Sequence, residues 1–152
     1  MRHKKFMPVV RELIECARAF EQCSNAHIRD LRLTPAQFDI IATLGNTRGM
    51  TCKELGEKTL ITKGTMTGVL DRLEAKGLLA RTPCQVDGRS WITTLTVRGQ
   101  SLFEEIFPAH IKHLEPLFSS LSDDELAVMH AQLRRLRGAF DVNSPPQRPE
   151  VA

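Results

Sequence analysis

The chain has 152 residues, of which 41% are hydrophobic and 26% are charged, values that are ordinary for one soluble globular domain. Its formal net charge of +3 is too small to identify a binding partner, because a solvated surface gives the same number. No apolar run approaches the roughly 18 residues that a membrane span needs, and the N-terminus lacks the apolar stretch of a secretory signal. We therefore expect a cytoplasmic protein whose four cysteines are reduced.

Capping signals along the chain predict where helices begin and end. Thr34, Thr51 and Ser122 each begin a capping box, in which a glutamine or a glutamate follows three residues later. Thr96 is expected to cap a further helix, and Gly77 is expected to end the helix that begins near Lys63. These signals predict a mainly α-helical fold.

One region has the pattern of β-strands. Residues 79–83 and 91–95 are short, rich in apolar and β-branched residues, and separated by a loop that contains Asp87 and Gly88. An Asp-Gly dipeptide is typical of a hairpin turn. The sequence therefore predicts a two-stranded β-wing, which must pack on the preceding helices because an isolated ribbon is marginally stable in water.

Residues 50–77 have the pattern of a helix-turn-helix. Apolar residues that can gather between its two helices are Leu55, Ile61, Val69, Leu70 and Leu73. We expect Gly56 at the point where the two helices come close, since a larger side chain there would push them apart. A helical hairpin inside an ordinary core is the alternative interpretation.

The side chains near the start of the second helix favour DNA binding. Hydroxyl and ammonium groups at a helix N-terminus can donate to phosphates and to base edges in the major groove. Arg89 at the hairpin tip can enter the adjacent minor groove, although an ordinary solvated loop charge is the alternative. The predicted DNA-binding residues are Thr62, Lys63, Thr65, Met66, Thr67, Arg72, Arg89 and Ser90.

Three segments together carry a family resemblance: residues 69–79 (VLDRLEAKGLL), 87–89 (DGR) and 95–99 (LTVRG). They are similar to the MarR family of bacterial transcriptional regulators. The resemblance implies a winged-helix homodimer that binds a palindromic operator, usually as a repressor relieved by a small molecule or by oxidation. It also implies that Asp71 and Asp87 orient the wing, with Asp71 in an ion pair with Arg89.

The sequence departs from the family pattern at three positions on the predicted DNA-binding surface. Many members have arginine at the position of Gly68, and many have a charged residue beside the wing arginine, where this chain has Gly88 and Ser90. We therefore expect fewer direct base contacts and a larger contribution from DNA shape.

Together these patterns predict one winged-helix domain over residues 1–142, with a DNA-binding part at about 35–98. N- and C-terminal dimerisation helices are expected at about 5–30 and 97–141. Residues 143–152, which include NSPPQRP, are expected to form a flexible tail because they offer no core-forming residues.

The two terminal helices each have a heptad pattern of apolar residues. Such a pattern at both ends of the chain favours packing against the helices of a second copy, which would place two recognition helices about one DNA turn, roughly 34 Å, apart. The predicted dimerisation residues are Phe6, Val10, Leu13, Leu126, Met129, Leu133, Leu136 and Phe140.

Four residues are candidates for sensing a signal. Cys16 and Cys23 lie seven residues apart on one helix, in the region where peroxide sensors of the family have a reactive cysteine; two buried apolar cysteines are the simpler alternative. His110 and His113 could share a face with Glu115 or with His27, but two histidines without further defined ligands are weak support for a metal site.

The family resemblance favours a small-molecule effector over either of these signals, and we expect no cofactor. Catalysis is not expected, since the sequence has no glycine-rich phosphate loop and no nucleophile with a nearby base. The remaining alternative is a winged helix that binds a protein partner instead of DNA.

Overall fold

The structure, a computed structural model, describes residues 5–143, with side chains described as far as Phe140. In chain order its elements are α1 (Met7–Asp30), α2 (Pro35–Leu44), β1 (Met50–Thr51), α3 (Cys52–Lys58), α4 (Lys63–Ala75), β2 (Leu79–Pro83), β3 (Trp91–Leu95), α5 (Val97–Phe118) and α6 (Asp123–Asn143). The predicted mainly helical fold with a β-wing is confirmed. Apart from Asn143, the predicted tail lies outside the described residues. Over residues 5–143, no helix is long and apolar enough to cross a membrane.

The capping boxes predicted from the sequence form as expected. At the start of α3, Thr51 Oγ1 accepts a hydrogen bond from the backbone N–H of Glu54 at 3.2 Å, and Glu54 Oε2 accepts from the backbone N–H of Thr51 at 2.7 Å. These bonds satisfy two donors that a helix start would otherwise leave unpaired. The same reciprocal bonds join Thr34 to Gln37 and Ser122 to Glu125.

The wing strands occupy the predicted residues, and a third strand joins them. β2 and β3 pair antiparallel, with Leu79 opposite Leu95 and Pro83 opposite Trp91. β1 pairs with the other side of β3, which gives the strand order β1-β3-β2. The prediction of a two-stranded wing therefore missed one strand, because a strand of two residues is too short for an alternating pattern to show in the sequence.

The hydrophobic core lies among the end of α1, α2, α3, α4, the first half of α5 and the base of the wing. Of the residues predicted to gather inside the helix-turn-helix, Leu55, Val69, Leu70 and Leu73 are buried and Ile61 is partly buried. Further members of this core are Ile28, Leu33, Phe38, Ile40, Ile41, Leu44, Met66, Leu78, Leu79, Phe103 and Ile106. The helices that would present DNA-binding groups are thus fixed by burial of their inner faces.

The chain forms two compact units, one extending to Leu114 and the other beginning at Glu115. The first unit contains α1 to α4, the three strands and most of α5, and the second contains the end of α5 and α6. The single domain expected over residues 1–142 stays a prediction.

The close approach that we expected at Gly56, between the two helices of the helix-turn-helix, does not occur, whereas another glycine, Gly99, lies against backbone. A Cβ atom on Gly56 would meet nothing within 4 Å, whereas a Cβ atom on Gly99 would lie 2.1 Å from the carbonyl oxygen of Leu78. The expectation for Gly56 is wrong because that side of α3 is exposed. The start of α5 thus lies directly against the backbone that enters β2.

We expect Gly99→Ala to destabilise the protein by roughly 1–3 kcal/mol, because the added methyl group collides with backbone that must shift to accommodate it. Gly56→Ala is the matched control and should leave the free energy of unfolding unchanged or raise it by up to about 1 kcal/mol, since alanine favours a helix more than glycine does. Urea unfolding measures both. Equal stabilities for the two variants would contradict the close approach at Gly99.

Candidate nucleic-acid interface

The start of α4 carries most of the predicted DNA-binding side chains. Thr62 is the N-cap residue, and its hydroxyl donates a hydrogen bond to Thr65 Oγ1 at 3.1 Å. Thr62, Lys63, Thr65 and Thr67 are all exposed. Hydroxyl and ammonium groups therefore surround the positive end of the α4 dipole, where an anionic group is favoured.

Met66 does not belong to this surface. It is 1% exposed and belongs to the core cluster with Val69 and Leu70, so the prediction that it binds DNA is wrong. Met66, Val69, Leu70 and Leu73 follow the i, i+3, i+4, i+7 spacing of an inward helix face. That spacing was readable in the sequence and could have excluded Met66.

Arg72 lies over a neighbouring glycine on α4. A Cβ atom on Gly68 would be 3.6 Å from Arg72 Nη2, so the guanidinium of the exposed Arg72 folds back along the helix by one turn. A guanidinium group is thus present beside position 68 even though the residue itself is glycine.

The tip of the wing is a turn organised by Asp87. Its Oδ1 accepts a hydrogen bond from the backbone N–H of Arg89 at 3.1 Å, and its carbonyl oxygen accepts from the backbone N–H of Ser90 at 3.0 Å. The backbone N–H of Cys84 donates to Ser90 O at 2.8 Å and closes the loop. These bonds fix the backbone on both sides of Arg89, which is itself exposed.

A groove of about 780 Å³ lies between α4 and the wing. It brings together three predicted DNA-binding residues, Thr67 of α4 and Arg89 and Ser90 of the wing. The complete lining is Thr51, Cys52, Lys53, Thr67, Leu70, Glu74, Arg81, Asp87, Arg89, Ser90, Trp91 and Thr93. The helix surface and the wing tip thus face one shared space.

Asp71 forms an ion pair with Arg81 and not with Arg89. Arg81 Nη2 donates to Asp71 Oδ1 at 2.7 Å, and the same guanidinium donates to Glu74 Oε2. The ion pair that the family resemblance implied between Asp71 and Arg89 is therefore corrected: Arg81 projects from β2 onto α4, whereas the backbone of Arg89 is held in the turn by Asp87. Sequence reasoning missed Arg81, although two carboxylates three apart on a helix, followed by an arginine in the next strand, were a usable signal.

The cysteines differ in their surroundings. Cys84, which the sequence did not single out, has a thiol whose pKa is lowered by hydrogen bonds from the backbone N–H groups of Asp87 and Val86. Cys16 is exposed, and the half-buried Cys23 has its Sγ atom 3.6 Å from Nε2 of His113. The redox role of Cys16 and Cys23 stays a prediction.

Three histidines meet between α1 and α5. His27 Nδ1 lies 2.9 Å from His110 Nδ1, and His110 Nε2 lies 3.1 Å from Ser24 Oγ. The rings of His27 and His113 stack with their centroids 4.3 Å apart. The structure thus brings His27 to the predicted pair, His110 and His113. Within the described part of the chain, no group of three or more histidine, cysteine, aspartate or glutamate side chains is arranged to hold a metal ion.

Comparisons with known proteins identify relatives of this chain. Residues 33–91 match the sequence pattern of the MarR family. The HTH-type transcriptional regulator MhqR of Bacillus subtilis (strain 168) is 30% identical over 78% of this chain and 82% of its own length.

Two solved structures resemble the present one closely. BpsR of Bordetella bronchiseptica, described with a mechanism for regulation of its DNA binding by 6-hydroxynicotinic acid, is 27% identical with a TM-score of 0.76, over 88% of this chain and 95% of that one. A mutant of MarR from E. coli, complexed with operator DNA, is 25% identical with a TM-score of 0.75, over 87% of this chain and 95% of that one.

The histidine cluster has a consequence for stability. Burial, and then the neighbouring histidine charges, lower the pKa of His110 and of His27 below the usual value of about 6.5, with Asp30 opposing the shift at His27. A group whose pKa is lowered by folding binds its proton less readily in the folded state than in the unfolded state. Its contribution to stability is therefore complete above a pH of about 6.5 and is lost as the pH falls below it.

We expect the melting temperature of the wild-type protein to fall between a pH of about 7.5 and about 5.5. His27→Gln should lose less over the same interval, because an amide can either accept from or donate to His110 Nδ1 and so matches both protonation states. His130→Gln, which changes an exposed histidine of α6, should behave as the wild type. Differential scanning calorimetry measures the fall in each protein, and an equal fall in His27→Gln and the wild type would exclude His27 as a cause.

Proposed function

The chain belongs to the MarR family of transcriptional regulators, and we propose that it is a homodimeric repressor that binds a near-palindromic DNA site in the cytoplasm. The observation that carries this proposal is the shared groove, where Thr67 of α4 and Arg89 of the wing face the same space. The family's members are regulators and not enzymes.

In the proposed complex, α4 lies in the major groove with its N-terminus towards the bases. The exposed Thr62, Lys63, Thr65 and Thr67 supply donors for phosphates and base edges. The wing then reaches the adjacent minor groove, where the negative potential attracts the guanidinium of Arg89. The operator-bound MarR structure, which has the same fold over most of this chain, supports this arrangement.

Dimer formation is supported by the apolar surfaces of the terminal helices. Phe6, at the N-cap of α1, is 53% exposed, and Val10 of α1 is 37% exposed. On α6, Met129 is 43% exposed and Leu133 is 50% exposed. A contiguous apolar patch that is exposed on a protein surface is typical of an interaction site. A two-fold dimer would pair equivalent surfaces and present two copies of α4 to one DNA site.

We further propose that a small molecule controls DNA binding by this dimer. The description of BpsR, whose DNA binding responds to 6-hydroxynicotinic acid, supports an aromatic acid as the class of effector to test. Control by oxidation at Cys16 or Cys23, or by zinc, is the alternative for the same fold.

We expect Arg89→Ala to weaken binding to duplexes of all sequences and to lower the slope of log K against log salt by about 1, because one cationic contact with the DNA is lost. Gln85→Ala, in the same exposed loop, is the matched control and should leave the slope unchanged. Fluorescence anisotropy with a random-sequence duplex over a salt series measures both slopes. An unchanged slope in Arg89→Ala would remove Arg89 from the interface, and a wild type that binds no duplex at low salt would favour the protein-binding alternative.

Leu133→Glu should convert the dimer to a monomer, because it places a charge within the proposed apolar interface of α6. Gln132→Glu introduces the same group at the neighbouring exposed position and should leave the dimer intact. Sedimentation equilibrium at micromolar concentration gives the mass of each. A wild-type monomer would exclude the homodimer.

A further inference from the structure

We propose that Arg81 is a positioning residue, which fixes the wing against the recognition helix α4 without itself contacting DNA. The inference rests on the proposed function, because it concerns how the two DNA-contacting elements are held at the correct separation.

The geometry of Arg81 is that of a bridge between two elements. Asp71 and Glu74 are three residues apart on α4 and therefore lie on the same face of the helix. Arg81, on β2, donates from Nη2 to Asp71 Oδ1 at 2.7 Å and from Nε to Glu74 Oε2 at 3.1 Å, and Nη2 also donates to Glu74 Oε2. One planar guanidinium thus binds two carboxylates of the helix, which the point charge of a lysine would not reproduce.

These contacts lie at the edge of the groove and are only partly open to water. The side chain of Arg81 is 26% exposed, compared with 38% for Glu74 and 56% for Asp71. The hydrogen bond from Arg81 lowers the pKa of Glu74, and the two carboxylates raise the pKa of Arg81. Glu74 and Arg81 therefore stay charged at physiological pH, and the ion pair between them persists there.

The wing is also held by β1, which pairs with Ile92 and Thr93 of β3, and by hydrogen bonds at its base. Thr96 Oγ1 donates to Gly77 O at 2.7 Å and the backbone N–H of Thr96 donates to Leu78 O at 3.0 Å. Both bonds hold the chain at the entry to β2, whereas Arg89 lies beyond the far end of that strand. Arg81 stands at the middle of β2, the edge of the sheet opposite β1, and ties that edge to α4.

The bridge also adjusts the charge of the surface that DNA would approach. Glu74 and Arg81 both line the groove between α4 and the wing. Without Arg81, the carboxylates of Asp71 and Glu74 would repel phosphates entering that groove. Because the guanidinium of Arg81 is bonded to both, it is directed towards protein and not towards a phosphate.

A charge exchange tests this role. Arg81→Glu should weaken binding to a random-sequence duplex by about tenfold or more, because it sets three carboxylates against one another. Glu74→Arg alone should also weaken binding, since it opposes Arg81. The double variant Glu74→Arg/Arg81→Glu restores the bridge with its ends exchanged and should bind within about threefold of the wild type.

The outcomes separate positioning from other roles of Arg81. If Arg81 contacted phosphate, the double variant would bind as weakly as Arg81→Glu, because a glutamate at that position repels DNA; this result would overturn the proposal. Arg81→Glu that melts at a lower temperature but binds the duplex as tightly as the wild type would also overturn it, since the bridge would then only stabilise the fold. Tighter binding by Glu74→Arg would overturn it as well, because net charge alone would explain the series.

Failure of this inference can be told apart from failure of the proposed function. A wild type that binds no duplex at low salt overturns the proposed function itself. Wild-type binding that Arg81→Glu leaves unchanged overturns only the role assigned to Arg81.

Discussion

The arrangement of α4 and the wing depends on one crowded junction, where the end of α4, the entry to β2 and the start of α5 meet. Gly77 turns the chain there with φ at 69°, in the left-handed region that favours glycine. Thr96 bonds to the carbonyl oxygens of Gly77 and Leu78, and Gly99 packs against that second carbonyl. Because three elements share these few backbone groups, a shift of the wing base must also move α4 and α5.

The local features of the fold could be predicted from the sequence because local chemistry determines them. The capping boxes at Thr34, Thr51 and Ser122 and the limits of β2 and β3 depend on residues close together in the chain. The contacts that were missed or misplaced depend on how distant elements meet. Gly56 and Gly99 are both glycines in helices, and only the packing shows that Gly99 is the one that touches backbone.

The same distinction applies to the side chains of the candidate site. The exposed start of α4 and the turn at Asp87 were predictable. Two carboxylates three apart on α4 indicated a nearby arginine, but the choice between Arg81 and Arg89 depends on where each wing residue points. The histidines show the opposite case, in which folding joins residues that the sequence offered as separate candidates. Cys23 and the pair at 110 and 113 were separate candidates in the sequence, and folding brings them together through His113 and His27.

Trp91 gives the chain an optical property that follows from its position. The sequence contains one tryptophan and no tyrosine, and this indole is 55% exposed on the wall of the groove between α4 and the wing. Indole emission depends on how much water surrounds the ring. The intrinsic fluorescence of the protein therefore arises from a single site, on the surface that would meet a nucleic acid. Its emission wavelength should shift when that groove is occupied, without any attached dye.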